Sequence, residues 1–172
     1  MPDLEALRSQ LAENPDGVIE QIAKAYGVTT HTATKALPAK HRTCVPGTYL
    51  ADLLEDLIGW GEVMLIINLG SLIAEIKTAI PAATPGRGYL NFHGEAPFGG
   101  HLKEDACSEI IFIDRPFFGR RSLSVQFFED TGNCLFKVFV RRDEDKELVA
   151  EQAAKFDALR LRYSKAATQA RA

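Results

Sequence analysis

Ser122-Leu123-Ser124-Val125-Gln126-Phe127, then Asp130-Thr131-Gly132-Asn133, then Phe136-Lys137-Val138-Phe139 is the stretch that decides the fold class. Apolar and polar residues alternate in both outer runs, which is the pattern of strands with one face buried and one face polar. The Asp-Thr-Gly-Asn between them has the composition of a hairpin connection. Working outward, Ser108–Asp114 reads as a strong strand and Tyr89–Phe92 as a short one. Val63–Ile67 is a β-rich apolar run, and Leu69–Ile76 is its partner, with Gly70-Ser71 at the turn. Pro81–Gly88 and Gly94–His101 read as loops, being rich in Gly and Pro.

Helical patterns bracket this block. Leu4, Leu7 and Leu11 recur at helical spacing, and Asn14-Pro15-Asp16-Gly17 ends that run. Val18, Ile19, Ile22, Ala23 and Tyr26 form a second amphipathic pattern that stops at Gly27. Thr29 or Thr30 caps a third short helix that ends before Leu37-Pro38. A further short helix is expected over Leu50–Leu57 within the mixed segment 43–59. A long one is expected over Asp145–Tyr163, with acidic residues at its start and basic ones at its end. The order predicts an α+β fold with a mainly antiparallel sheet. Its parts are an N-terminal helical unit (1–41), a sheet domain (42–166) and a frayed tail (167–172).

A chain of 172 residues with 46% hydrophobic and 25% charged residues can bury a full core, which sets aside disordered and coiled-coil classes. The longest mostly apolar run, Val63–Ile76, contains Asn68, Gly70, Ser71 and Glu75, and is too short and polar to span a bilayer. The opening Met-Pro-Asp-Leu-Glu carries no signal-peptide pattern. Cys44, Cys107 and Cys134 suggest neither a disulfide framework nor a zinc motif, so the expected compartment is a reducing cytoplasm without membrane association.

The net charge of −3 argues against sequence-independent nucleic-acid binding. The first 41 residues trace a helix-turn-helix outline, but their four basic and five acidic residues leave a local net of −1. A DNA-reading segment carries a basic excess, so this unit is read as structural and no nucleic-acid partner is expected.

Phosphate-loop, dinucleotide, nucleophile-elbow and zinc-protease motifs are missing, as is Cys-x-x-Cys-His for covalent heme attachment. The informative stretch is Gly86-Arg87-Gly88-Tyr89-Leu90-Asn91-Phe92-His93, continuing to Phe98-Gly99-Gly100-His101-Leu102. Two histidines eight residues apart lie among glycines and aromatics. A neutral imidazole suits heme iron, and Phe92, Phe98, Phe117 and Phe118 can form apolar walls. Arg87, Arg115, Arg120 and Arg121 can hold carboxylates. The plain alternatives are surface histidines and aromatics that belong to a sheet core. A zinc site of His93, His101 and Cys107 lacks an evident fourth ligand.

These residues resemble the cytosolic heme-utilisation carrier family of the ChuX/HutX type. The resemblance spans residues 10 to 163. It rests on Tyr26-Gly-Val-Thr with Leu37-Pro38, Trp60-Gly61, Pro85-Gly-Arg-Gly-Tyr, Gly100-His101-Leu102, Arg115-Pro-Phe-Phe-Gly, Gln126-Phe-Phe, and Phe136–Asp143 in that order. It implies a curved antiparallel sheet flanked by helices, like one repeat of the HemS/ChuS heme-degrading proteins, and a homodimer that imitates the two-repeat form. It implies a carrier or storage protein that binds heme non-covalently for iron acquisition and hands it to a downstream heme-processing protein. The alternatives are a heme-degrading enzyme and, disfavoured by charge, a DNA-binding regulator.

In that reading His101 is the metal ligand. Gly99 and Gly100 let the backbone approach the heme, Phe98 supplies a wall, and Arg87, Arg115 or Arg121 meets the propionates. The family's second histidine falls on Asn68, a poor iron ligand, which leaves His101 acting alone or His93 or water in a second role.

Overall fold

The computed structural model describes residues 1–170. Three helices open the chain: α1 (Leu4–Glu13), α2 (Ile19–Tyr26) and α3 (Thr30–Ala36). Asp3 caps α1 by accepting from the Ala6 N–H at 2.9 Å, and the Thr29 hydroxyl caps α3 by accepting from the Thr32 N–H at 3.1 Å. Leu37-Pro38 ends α3, because the residue before proline is pushed out of helical geometry.

Strand β1 (Arg42–Pro46) follows, then α4 (Leu50–Ile58), β2 (Glu62–Asn68), β3 (Ile73–Ala79), β4 (Ala83–Gly86), β5 (Tyr89–Phe92) and β6 (Gly100–Lys103). The long strands β7 (Glu109–Phe117) and β8 (Arg120–Phe128), then β9 (Cys134–Phe139) and α5 (Ala150–Gln169), complete the chain.

The strands form two antiparallel sheets. The main sheet has the order β1-β7-β8-β9-β2-β3, and the small one has the order β4-β5-β6. The alternation in β8 works as expected. Leu123, Val125 and Phe127 enter the principal core with Phe112, Val138 and Leu65, beneath Leu53 and Leu57 of α4 and Phe156 of α5. On the opposite face Ile111, Ile113 and Phe128 meet Leu7, Leu11, Ile19, Ala33 and Leu37 of the N-terminal helices. The helix-turn-helix outline is therefore a lid on the sheet. His31 of α3 lies 5.1 Å from the Phe128 ring, and Lys35 pairs with Glu109 at 3.2 Å.

Several expected elements differ. The segment from Pro81 to Gly88 contains β4, and His101 stands on β6 at the end of what was expected to be a loop. Both strands are four residues long, and Pro85 and Gly100 within them hide the alternation. Strand β1 overlaps the start of the mixed segment and owes its conformation to pairing with β7. Helix α5 begins at Ala150, five residues later than expected. The acidic run Asp143–Glu147 forms a turn before it, tied by the Val149 N–H to the Arg141 carbonyl at 2.9 Å. The helix also runs to Gln169 with Ala167 buried, past the boundary placed at residue 166. Residues 171 and 172 of the expected tail lie outside the described residues.

Candidate functional site: the open face of the small sheet

The register of the small sheet sorts its side chains into two faces. Asn91 stands opposite His101 and Thr84, and Tyr89 stands opposite Lys103 and Gly86. Ala83, Leu90, Phe92 and Leu102 turn the other way, onto the principal core. Alternation thus anchors one face and leaves Tyr89, Asn91 and His101 on the outer one. The β4–β5 connection is the two-residue turn Arg87-Gly88, with φ of +57° and +80°, the conformation favoured in tight hairpins. Gly86, Arg87, Tyr89, Asn91 and His101 line a shallow concavity of about 590 Å³.

His101 is exposed. Its Nδ1 lies 2.7 Å from Asn91 Oδ1, and the Tyr89 ring stands edge-on with centroids 6.3 Å apart. Among the described residues, Nε2 of His101 has no hydrogen-bond partner. A cation (Arg87), an aromatic ring and an imidazole nitrogen without a hydrogen-bond partner among the described residues thus share one open surface. That surface can receive a metal centre carried by a flat acidic molecule.

The other residues named from sequence fall in different places. His93 hydrogen-bonds Thr84 Oγ1 through Nε2 at 2.5 Å. Phe98 packs on Phe92, 5.1 Å between centroids, as part of the layer beneath the sheet. Gly99 precedes β6, and Gly100 is its first residue. No atom lies within 4 Å of a Cβ built on either, and the φ of +127° at Gly100 favours glycine.

Asn68 is at the end of β2 in the main sheet, where its Oδ1 accepts from the Gly70 N–H at 2.9 Å and closes the β2–β3 hairpin. Within one chain it is not part of the His101 concavity. Arg115 is 8% exposed beneath the α1–α2 junction and donates to the Pro15 carbonyl at 2.8 Å. It is not available to a ligand at His101. Burial pulls its pKa below the usual guanidinium range, with Asp16 and Glu20 opposing. Arg121 is held by Asp114 through two bonds of 2.9 and 2.7 Å.

The cysteines stand apart from this surface. Burial pushes the Cys107 thiol up to about 11 and the Cys134 thiol up to about 12, which disfavours the nucleophilic thiolate at both. Among the described residues no three His, Cys, Asp or Glu side chains gather as a metal site, and no helix is long and apolar enough to cross a membrane.

A second concavity, about 630 Å³, lies on the main sheet and went unrecognised in the sequence. Its floor includes Met64, Ile66 and Phe139, and Lys77, Arg120 and Arg141 stand around it. Phe117 and Phe118, expected as walls around His101, line this cleft instead. The signal available was the parity of β2: Val63 and Leu65 are core residues, so Met64 and Ile66 must point the other way.

The chain is similar in sequence to the intracellular heme transport protein HutX of Vibrio cholerae serotype O1. They are 33% identical over 165 residues, covering 93% of this chain and 86% of that one. It superimposes on the solved structure of the heme-binding protein ChuX with a TM-score of 0.83 and 30% identity, over 90% of this chain and 97% of the other. The heme-degrading enzyme ChuS of Escherichia coli O157:H7 shares the fold. The TM-score there is 0.72 at 17% identity, and the match covers 92% of this chain but 48% of ChuS, the span expected of a single repeat. Residues 43–159, from β1 into α5, match the family described as haem utilisation ChuX/HutX, and the chain belongs to that family.

Proposed function

We propose that the protein is a cytoplasmic heme carrier. It takes up heme non-covalently as cargo, ligates the iron through Nε2 of His101, and passes the heme to a downstream heme-processing protein. The observation that carries this reading is the unpartnered Nε2 on the outer face of the small sheet, beside Arg87 and Tyr89. Imidazole is a common protein ligand of heme iron. The concavity is open and lies outside the core, which suits a planar molecule, and Arg87 can offer its guanidinium to a propionate. His101 is the metal ligand in this proposal. Arg87, Tyr89 and Asn91 shape the surface, while Asn68, His93, Phe98, Gly99, Gly100 and Arg115 keep the structural surroundings described above.

The test is an absorbance titration of heme-free protein with hemin, beside His101→Ala and Arg87→Ala. A saturable Soret shift at one heme per chain, lost in His101→Ala while the far-UV spectrum is kept, is the expected result. Unchanged binding in His101→Ala overturns the ligand assignment.

A homodimer belongs to the same proposal. Met64, Ile66 and Phe139 are half-buried in the main-sheet cleft, on the half of the sheet that the N-terminal helices leave open, and the adjoining hairpin exposes Leu69, Leu72 and Ile73 by 68%, 59% and 56%. A contiguous apolar surface of this kind suits a second copy of the chain. Light scattering on the eluting protein is expected to give twice the chain mass, and Ile66→Asp is expected to give the single mass. A monomeric parent protein overturns this part.

A further inference from the structure

We propose that Asn91 is a positioning residue that fixes the tautomer of His101, presenting Nε2 to the concavity as a bare lone pair. The inference deepens the heme reading and takes from it only the role of His101 as ligand.

The argument begins with the orientation of the Asn91 amide. Its Nδ2 lies 3.1, 3.3 and 3.2 Å from the carbonyl oxygens of Thr84, Gly86 and Tyr89. Those three groups are acceptors only, so the nitrogen belongs on that side and the amide cannot be reversed without setting oxygen against oxygen. Oδ1 is thereby directed at Nδ1 of His101, 2.7 Å away. An amide oxygen only accepts, so Nδ1 must carry the proton. A neutral imidazole has one N–H, and its other nitrogen is then an acceptor. That nitrogen is Nε2, the atom without a partner among the described residues.

The arrangement is built into the backbone. Asn91 and His101 are directly opposed across β5 and β6, so strand pairing sets their separation. The carbonyls that hold the amide come from β4 and β5. Isolated imidazole side chains favour the Nε2–H form, which blocks the nitrogen that must meet a metal. A partner on the distal nitrogen of a ligating histidine sets tautomer and ring orientation together.

The test uses heme-free, ¹⁵N-labelled protein in alkaline buffer, where imidazoles are neutral. Multiple-bond ¹H–¹⁵N correlation is expected to show Nδ1 of His101 protonated and Nε2 bare. Asn91→Ala is expected to move the ring to the Nε2–H form. Asn91→Asp loses the amide donors to the three carbonyls yet keeps an acceptor for Nδ1, so it is expected to retain Nδ1–H and to separate positioning from a merely structural role.

In hemin titrations Asn91→Ala is expected to weaken binding about 10- to 100-fold, with Asn91→Asp staying within a few-fold of the parent. An Nε2–H ring in the parent protein, or an unchanged tautomer in Asn91→Ala, overturns the proposal. The spectra need no heme. Failure of the heme reading shows up separately, as unchanged hemin binding in His101→Ala, while the tautomer measurement still decides the role of Asn91.

Discussion

The guanidinium of Arg115, on β7, donates to the carbonyl oxygen of Pro15 at 2.8 Å, joining the α1–α2 connection to the sheet 100 residues later. The charge is almost fully covered, with Asp16 and Glu20 supplying the compensating field. Arg115→Ala is expected to lower unfolding free energy by roughly 2–3 kcal/mol, the range for hydrogen bonds to charged groups. Urea denaturation measures that loss. Hemin titration of the same variant is expected to match the parent. A stable variant with weakened hemin binding would return Arg115 to the ligand surface.

Asp16 completes the same junction. Its carboxylate accepts from the backbone N–H groups of Phe118 and Gly119, at 2.8 and 2.7 Å. The Gly119 bond is the largest influence holding its pKa below the ordinary aspartate value, with further help from Gly17, Phe118 and Arg115. A carboxyl depressed in the folded state stabilises above its unfolded pKa and loses that contribution as pH falls through the folded one. Asp16→Asn is therefore expected to be less stable than the parent at pH 7. The gap should narrow as pH drops below about 4. Thermal melts across pH 2.5 to 7 check this, and a pH-independent gap counts against it.

Asn68 has structural work at the position where the family resemblance implied a histidine. Losing its bond to the Gly70 N–H in Asn68→Ala is expected to cost about 0.5–1.5 kcal/mol. Denaturant midpoints report that loss, and the Soret titration is expected to be unchanged. A lost Soret shift would give Asn68 a direct part in binding.

Gly132 locks the β8–β9 hairpin against the helical lid. Its φ is +86°, its carbonyl accepts from the His31 N–H at 3.1 Å, and a Cβ would lie 2.6 Å from Thr29 Oγ1, the cap of α3. Gly132→Ala is expected to destabilise by about 1–3 kcal/mol. Hydrogen exchange should show faster opening of residues 30–36 before the sheet responds. Uniform loosening would place the strain elsewhere.

What residue spacing alone specifies in this chain is local. The alternation of 122–127 and 136–139, the turn between them, the three short N-terminal patterns and the cap at Thr29 all follow from residue spacing, since a strand has period two and a helix 3.6. Family membership was legible from ordered motifs. The short strands 42–46, 83–86 and 100–103 were not, because their conformation comes from partners distant in sequence and from proline and glycine that mask the pattern. The start of α5 was missed because charge marked an acidic turn rather than the helix itself.

The site divided in the same way. The sequence by itself determined that His101 lies in a glycine- and aromatic-rich segment, with Arg87 nearby and asparagine at position 68. Tertiary structure decided which of these meet. Register across β5 and β6 set Asn91 against His101 and brought Arg87 to the same face, while long-range packing buried Arg115 under Pro15 and left Asn68 in another sheet. The physical reason is that side-chain type is a property of the chain, whereas proximity depends on strand register and packing between segments far apart in sequence.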